Sequence, residues 1–221
     1  MLNQNMEEKA GILVERIDEL IQSFRYREGP DLYFYRKTIS LRRHQPLEEL
    51  FQADDDRYIE LIYATLVSWD MNSRRAKMKY FDEFRSTILD NEQGFLELST
   101  DVLDALAARE FMHAKRRCGI IYSNLHAMKT SGRLVSNSKI MHFILPDLVM
   151  PMDGGNTLKF FYGNAAGYKK RFLEILECSY NIAREVDLRQ FLDEEWNLSI
   201  TKVIDNAIIS HMSPKYRKES R

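Results

Sequence analysis

The sequence predicts an all-α protein of about ten helices, and three observations carry that reading. Apolar residues recur every three or four positions along nearly the whole chain, strand-like alternation is almost absent, and only five prolines interrupt 221 residues. A period near 3.6 lays one apolar stripe along a helix, whereas a half-buried strand needs a period of two.

Leu13, Ile17, Leu20 and Phe24 form the stripe of a first helix over residues 6–26. Gly29-Pro30 ends it, and Pro30-Asp31 opens the next, which carries Tyr33, Tyr35 and Ile39. Asp54-Asp55-Asp56 puts acids at the positive end of a helix running to Trp69, with Ile59, Ile62 and Leu66 inward. Ser73 reads as the cap of a helix bearing Met78, Phe81, Phe84 and Ile88, closed by Asp90-Asn91 and Gly94. Ser99-Thr100-Asp101 caps another, with Val102, Leu103, Leu106 and Phe111 inward, that continues to about Met128 with a bend at Gly119. After the segment 138–162 come a helix over 166–185, a short one near 187–193, and a last one with Ile200, Val203, Ile204, Ala207 and Ile208. The charged tail, residues 213–221, is expected to fray.

No repeat or low-complexity linker marks a boundary, so residues 1–221 read as one helical unit, or as two lobes meeting near 130–162. The hydrophobic content of 44% suffices for one substantial core. The 32 basic and 33 acidic residues nearly cancel, so binding to nucleic acid or to an anionic membrane would need local patches. No run approaches the roughly 18 apolar residues of a membrane span, and the polar N-terminus lacks the form of a signal peptide. With only Cys118 and Cys178, no disulfide framework or zinc site is expected. These features point to a cytoplasmic protein without metal, cofactor or membrane partner.

The chemistry concentrates in Ser138–Tyr162, SKIMHFILPDLVMPMDGGNTLKFFY. Lys139 and His142 lie three apart on a short apolar helix stopped by Pro146, and Asp153 follows in a Pro/Gly/Asn turn that includes Asn156. A lysine at the mouth of an apolar recess loses basicity and becomes a nucleophile, and a nearby aspartate can take its proton. Lys139 and Asp153 are fourteen residues apart, so they meet only if the chain doubles back. The plainer alternative keeps Lys139 as a solvated first-turn residue, Asp153 as a turn cap and His142 as a hydrogen-bonded core residue.

A hairpin, a lysine opening a helix and a proline-flanked aspartate before another helix resemble the helix-hairpin-helix DNA glycosylases. The resemblance implies an all-helical fold, Lys139 as the amine attacking a sugar carbon, Asp153 as the assisting acid, and a base flipped out of the stack. It also implies that the backbone of Ser136, Asn137 and Ser138 grips phosphate. On this reading His142 and Trp69 line the pocket: Trp69-Asp70-Met71-Asn72 gives an apolar floor with polar rim groups, or else a plain helix end. The family's Gly-x-Gly hairpin positions are Val135 and Asn137 here. The segment is also similar to a group of uncharacterised helical proteins distantly related to that fold.

Three basic clusters are available: Arg74, Arg75, Lys77 and Lys79; Lys115, Arg116 and Arg117, with Lys129 and Arg133 following; and Lys169-Lys170-Arg171. If the second and third flank Lys139, they form a positive groove for a phosphate backbone; otherwise they solvate helix faces. Tyr33-Phe34-Tyr35 and Phe160-Phe161-Tyr162 could stack bases, but aromatic pairs at helical spacing are usually core. His113 and His126 have no carboxylate at ligand spacing. Dinucleotide and phosphate-loop motifs, the zincin motif and the nucleophile elbow are all absent. The expected function is a DNA-associated, glycosylase-like protein. The alternative is a non-enzymatic helical module that binds a protein partner.

Overall fold

A computed structural model describes residues 4–25, 28–52, 56–72 and 77–213. Several expectations fall outside these residues: Asp54 and Asp55 of the acidic run, the Ser73 cap, Arg74 and Arg75, and the tail from 214 onward.

The described residues form eleven α-helices and one 3-10 turn, and a backbone bridge joins Met78 and Met128. The helices are α1 Gln4–Ser23, α2 Pro30–His44, α3 Leu47–Gln52, α4 Arg57–Ser68, α5 Phe81–Leu89 and α6 Glu92–Glu97. They continue with α7 Ala108–Asn124, α8 Leu134–Ile144, α9 Thr157–Tyr162, α10 Lys169–Glu185, the 3-10 turn Leu188–Phe191 and α11 Ile200–Met212. The all-α reading holds. One continuous cluster of buried apolar side chains draws on every helix.

The differences are local and physical. Met78 pairs as backbone with Met128, and Lys79 N donates to Ala127 O at 3.0 Å, so α5 begins only at Phe81. Gly94 does not stop a helix; it sits inside α6, where a Cβ would lie 3.1 Å from Ile121 Cγ1, so glycine lets α6 approach α7. The segment after Ser99 stays non-helical until Glu110 Oε2 accepts the Ala107 amide at 2.8 Å and opens α7.

The centre of the fold is α11. Every residue from Ile200 to Ser210 is buried, Lys202, Asp205 and Asn206 included. An apolar stripe on one face gives a surface helix; burial on all faces makes α11 an axis around which others pack. It packs mainly against α1, with α9, α10 and the 3-10 turn around it, while α2 packs on α4 and both meet α8.

Candidate functional site

Lys139 and Asp153 line one cavity of about 220 Å3, together with Asp31, Ser68, Trp69, Asp70, Pro151, Met152, Trp196, Lys202, Asp205 and Ile209. Five segments supply it: the start of α2, the end of α4, α8, the return loop before α9, and α11 with the turn preceding it.

The return loop is what brings the aspartate back. Leu145 ends α8 before Pro146, and three side chains then hold the reversed chain. Ser138 Oγ accepts the Met152 amide at 3.1 Å. His142 Nδ1 donates to Val149 O at 2.8 Å, and Thr201 Oγ1 donates to Pro146 O at 2.5 Å. Asp153 is then fixed by Asn156, whose amide N donates to Oδ1 at 2.5 Å and whose Nδ2 donates to Oδ2 at 2.8 Å. The chain therefore doubles back after Pro146 as the lysine–aspartate site requires.

The wall at the end of α4 is also built by backbone geometry. The Met71 amide donates to Leu66 O and the Asp70 amide to Val67 O, both at 3.0 Å, which is the double bond pattern of a Schellman cap. Asp70 occupies the left-handed position, φ 63°, where glycine is usual. That cap turns Trp69 inward, where its Nε1 donates to Asp31 O at 3.3 Å, and leaves Asp70 exposed at the cavity rim.

Lys139 is half-buried. Its Nζ lies 3.7 Å from Met71 Sδ and 5.2 Å from the Trp69 ring centre, and it makes no ion pair among the described residues. Burial pushes its pKa down to about 8; Asp153 and Asp205 oppose the shift and the Lys202 charge adds to it. Lys202 approaches the same indole to 5.3 Å, and the Trp196 ring to 5.6 Å, while its Nζ donates to Asp205 Oδ2 at 2.5 Å. Burial raises the Asp205 pKa, with Lys202 countering it.

No known protein family, curated protein or solved structure matches the chain. What the site can do rests on its own chemistry.

Of the residues expected at the site, Lys139, Asp153 and Trp69 come together, and Asn156 holds Asp153. The others serve elsewhere. His142 is fully buried in the core, stacked on Tyr35 at 5.9 Å, and is not part of the cavity wall. A carbonyl only accepts, so its proton sits on Nδ1, facing Val149. Burial lowers its pKa to about 3.

Ser136, Asn137 and Ser138 form no hairpin: they are buried within α8, and the Asn137 amide is spent on Arg133 O. Asn137 Nδ2 instead donates to Tyr122 O and Leu125 O, closing the end of α7. Lys115 is ion-paired with Glu177 at 2.6 Å, Arg117 with Glu97, and Arg133 Nη1 donates to Ser123 O, while Arg116 is exposed on α7. None of these lines the cavity, whose charged wall is four aspartates and two lysines rather than a positive groove.

Lys202, Asp205 and Trp196 were not foreseen. The signal for the first two was present: SITKVIDNAIIS is apolar on all sides of a helix, and a Lys/Asp pair three apart inside such a helix must be buried and paired. Trp196 carried no comparable signal, because an irregular turn places it, whereas Asp70 follows from the helix junction Trp69-Asp70-Met71-Asn72.

Proposed function

We propose that the protein is a lysine-dependent enzyme with DNA glycosylase-like chemistry, in which Lys139 attacks the sugar carbon and Asp153 assists. The observation that carries this reading is the Lys139 amine itself: half-buried, unpaired among the described residues, brought down to about 8, and sharing a cavity with Asp153. Near pH 8 about half of such an amine is unprotonated and nucleophilic. The Nζ lone pair would bond to C1′ as the C1′–N bond breaks, the electron pair leaving with the base, which takes up a proton. Asp153 would receive the proton from Nζ, and opening of the sugar ring would turn the adduct into an imine. The two indoles, Trp69 and Trp196, would flank a planar group in the cavity.

The test is borohydride reduction of the chain mixed with DNA that contains an abasic site. A trapped adduct in wild type that disappears in Lys139→Ala is the expected result. No adduct in either chain, together with no DNA binding at low salt, removes the reading.

A specific feature favours the second reading, a non-enzymatic module for a protein partner. An open groove of about 780 Å3 runs between α2 and the turn at 193–198, with Leu32, Ile39 and Leu198 in its lining, Arg36 and Lys37 on the α2 side and Glu194 and Glu195 on the other. Walls of opposite sign suit a peptide carrying both charges better than a phosphate backbone.

A further inference from the structure

Two lysines face one indole in this cavity, yet only one has a carboxylate. Lys202 is bound to Asp205 three residues further along α11, and both side chains are almost fully buried, at 4% and 6% exposure. Lys139, 5.2 Å from the centre of the same Trp69 ring, makes no ion pair among the described residues.

The charged groups facing Lys139 come from every element around it: Asp153 from the return loop, Asp205 and Lys202 from α11, Asp70 from the end of α4, and Asp31 from the start of α2. Asp153 already pulls on the Lys139 amine from where Asn156 holds it, and it makes no ion pair with it. Asp31 is half-buried and Asp70 exposed, so water weakens their pull. Asp205 is the one buried carboxylate of the set, and a buried carboxylate seeks the nearest cation. Left alone, it would pair with Lys139 and fix that amine as an ammonium.

We infer that Lys202 is a positioning residue for Lys139: it holds Asp205 in a buried ion pair and so keeps that carboxylate off the Lys139 amine. The device costs a second buried cation, and it gives the site one lysine that stays charged and one that can lose its proton. The inference rests on the proposed role of Lys139 as the reacting amine, but its readout does not require any substrate.

The experiment is competitive acetylation of the full chain with acetic anhydride across pH, the labelling of Lys139 read by mass spectrometry. Wild type should label with a midpoint near 8. Lys202→Met frees Asp205, so the unprotonated fraction of Lys139 at neutral pH should fall by about tenfold, the shift expected of a new opposite charge within reach. Lys202→Arg, which keeps the pair, should label like wild type. The double variant Lys202→Met with Asp205→Leu removes the freed carboxylate and should return the midpoint to the wild-type value. If Lys202→Met does not fold, judged by circular dichroism, Lys202→Gln is read in its place with the same expectation. An unchanged midpoint in the single variant, or a rise that persists in the double variant, overturns the inference. Absence of a trapped DNA adduct would remove the glycosylase-like reading while leaving these midpoints where they are.

Discussion

His142 holds Val149: its Nδ1 donates to the Val149 carbonyl at 2.8 Å, across the reversal of chain that follows Pro146. The histidine is a clasp on the loop that carries Asp153. His142→Ala removes the clasp, strips the carbonyl of its shortest hydrogen bond and leaves a void among Tyr35 and Phe143. A loss of about 2–4 kcal/mol is expected, read as a lower urea midpoint with unchanged slope.

The same histidine makes stability depend on pH. Its pKa is about 3 in the fold and near 6.5 in an unfolded chain, so the fold prefers the neutral ring. This contribution is complete above about pH 6.5 and is lost as pH falls from there towards 3, at up to about 1.4 kcal/mol per unit. Urea midpoints measured at pH 7 and pH 5 should fall for wild type, and the fall should be smaller in His142→Asn. An equal fall in both chains would assign the effect to other groups.

Lys139 costs the fold stability. Its depressed pKa means that the unfolded chain binds this proton more readily, so the penalty is absent above about pH 10.4, grows as pH falls from there towards 8, and is complete below it. Lys139→Met should therefore raise stability at pH 7, by about 1–2 kcal/mol once partial solvent screening is allowed for. A destabilised methionine variant would mean that the amine is held by interactions stronger than those described.

Asp70 stands where glycine is easiest, at φ 63°. Asp70→Gly should stabilise the chain by about 0.5–1 kcal/mol, measured by thermal melting at the same pH. If the aspartate belongs to the site, the same change should weaken ligand binding, the usual trade between strain and function.

Both tryptophans of the chain, Trp69 and Trp196, line the same cavity. Tryptophan emission, excited selectively over that of the 11 tyrosines, therefore reports on that cavity. Occupancy by a planar ligand should quench or shift the whole tryptophan signal, and the response should shrink stepwise in Trp69→Phe and Trp196→Phe.

The fold class was legible because apolar spacing is a local property: the stripes of α1, α4 and α10 are written in consecutive residues. The return of Asp153 to Lys139 was legible too, through Pro146, Pro151 and the Gly154-Gly155 turn. The hairpin expected at Ser136–Ser138 was not there, since three small polar residues in a row bury well inside a helix when each finds a backbone carbonyl, as all three do. The basic clusters were ambiguous because charge in sequence says nothing of partners: Lys115 and Arg117 are neutralised by Glu177 and Glu97 from other helices. Trp196 reached the cavity through a turn tied by Asp193, whose Oδ1 accepts the Glu195 and Asn197 amides, a contact no periodicity encodes.

The burial of α11 has a consequence for how the chain is made. A ribosome delivers residues 200–212 after every other helix described, yet those residues are the post against which α1 leans. Until they emerge, α1 lacks its main partner, although α2 and α4 can already pack on each other, so the nascent polypeptide should complete its core only in a late event.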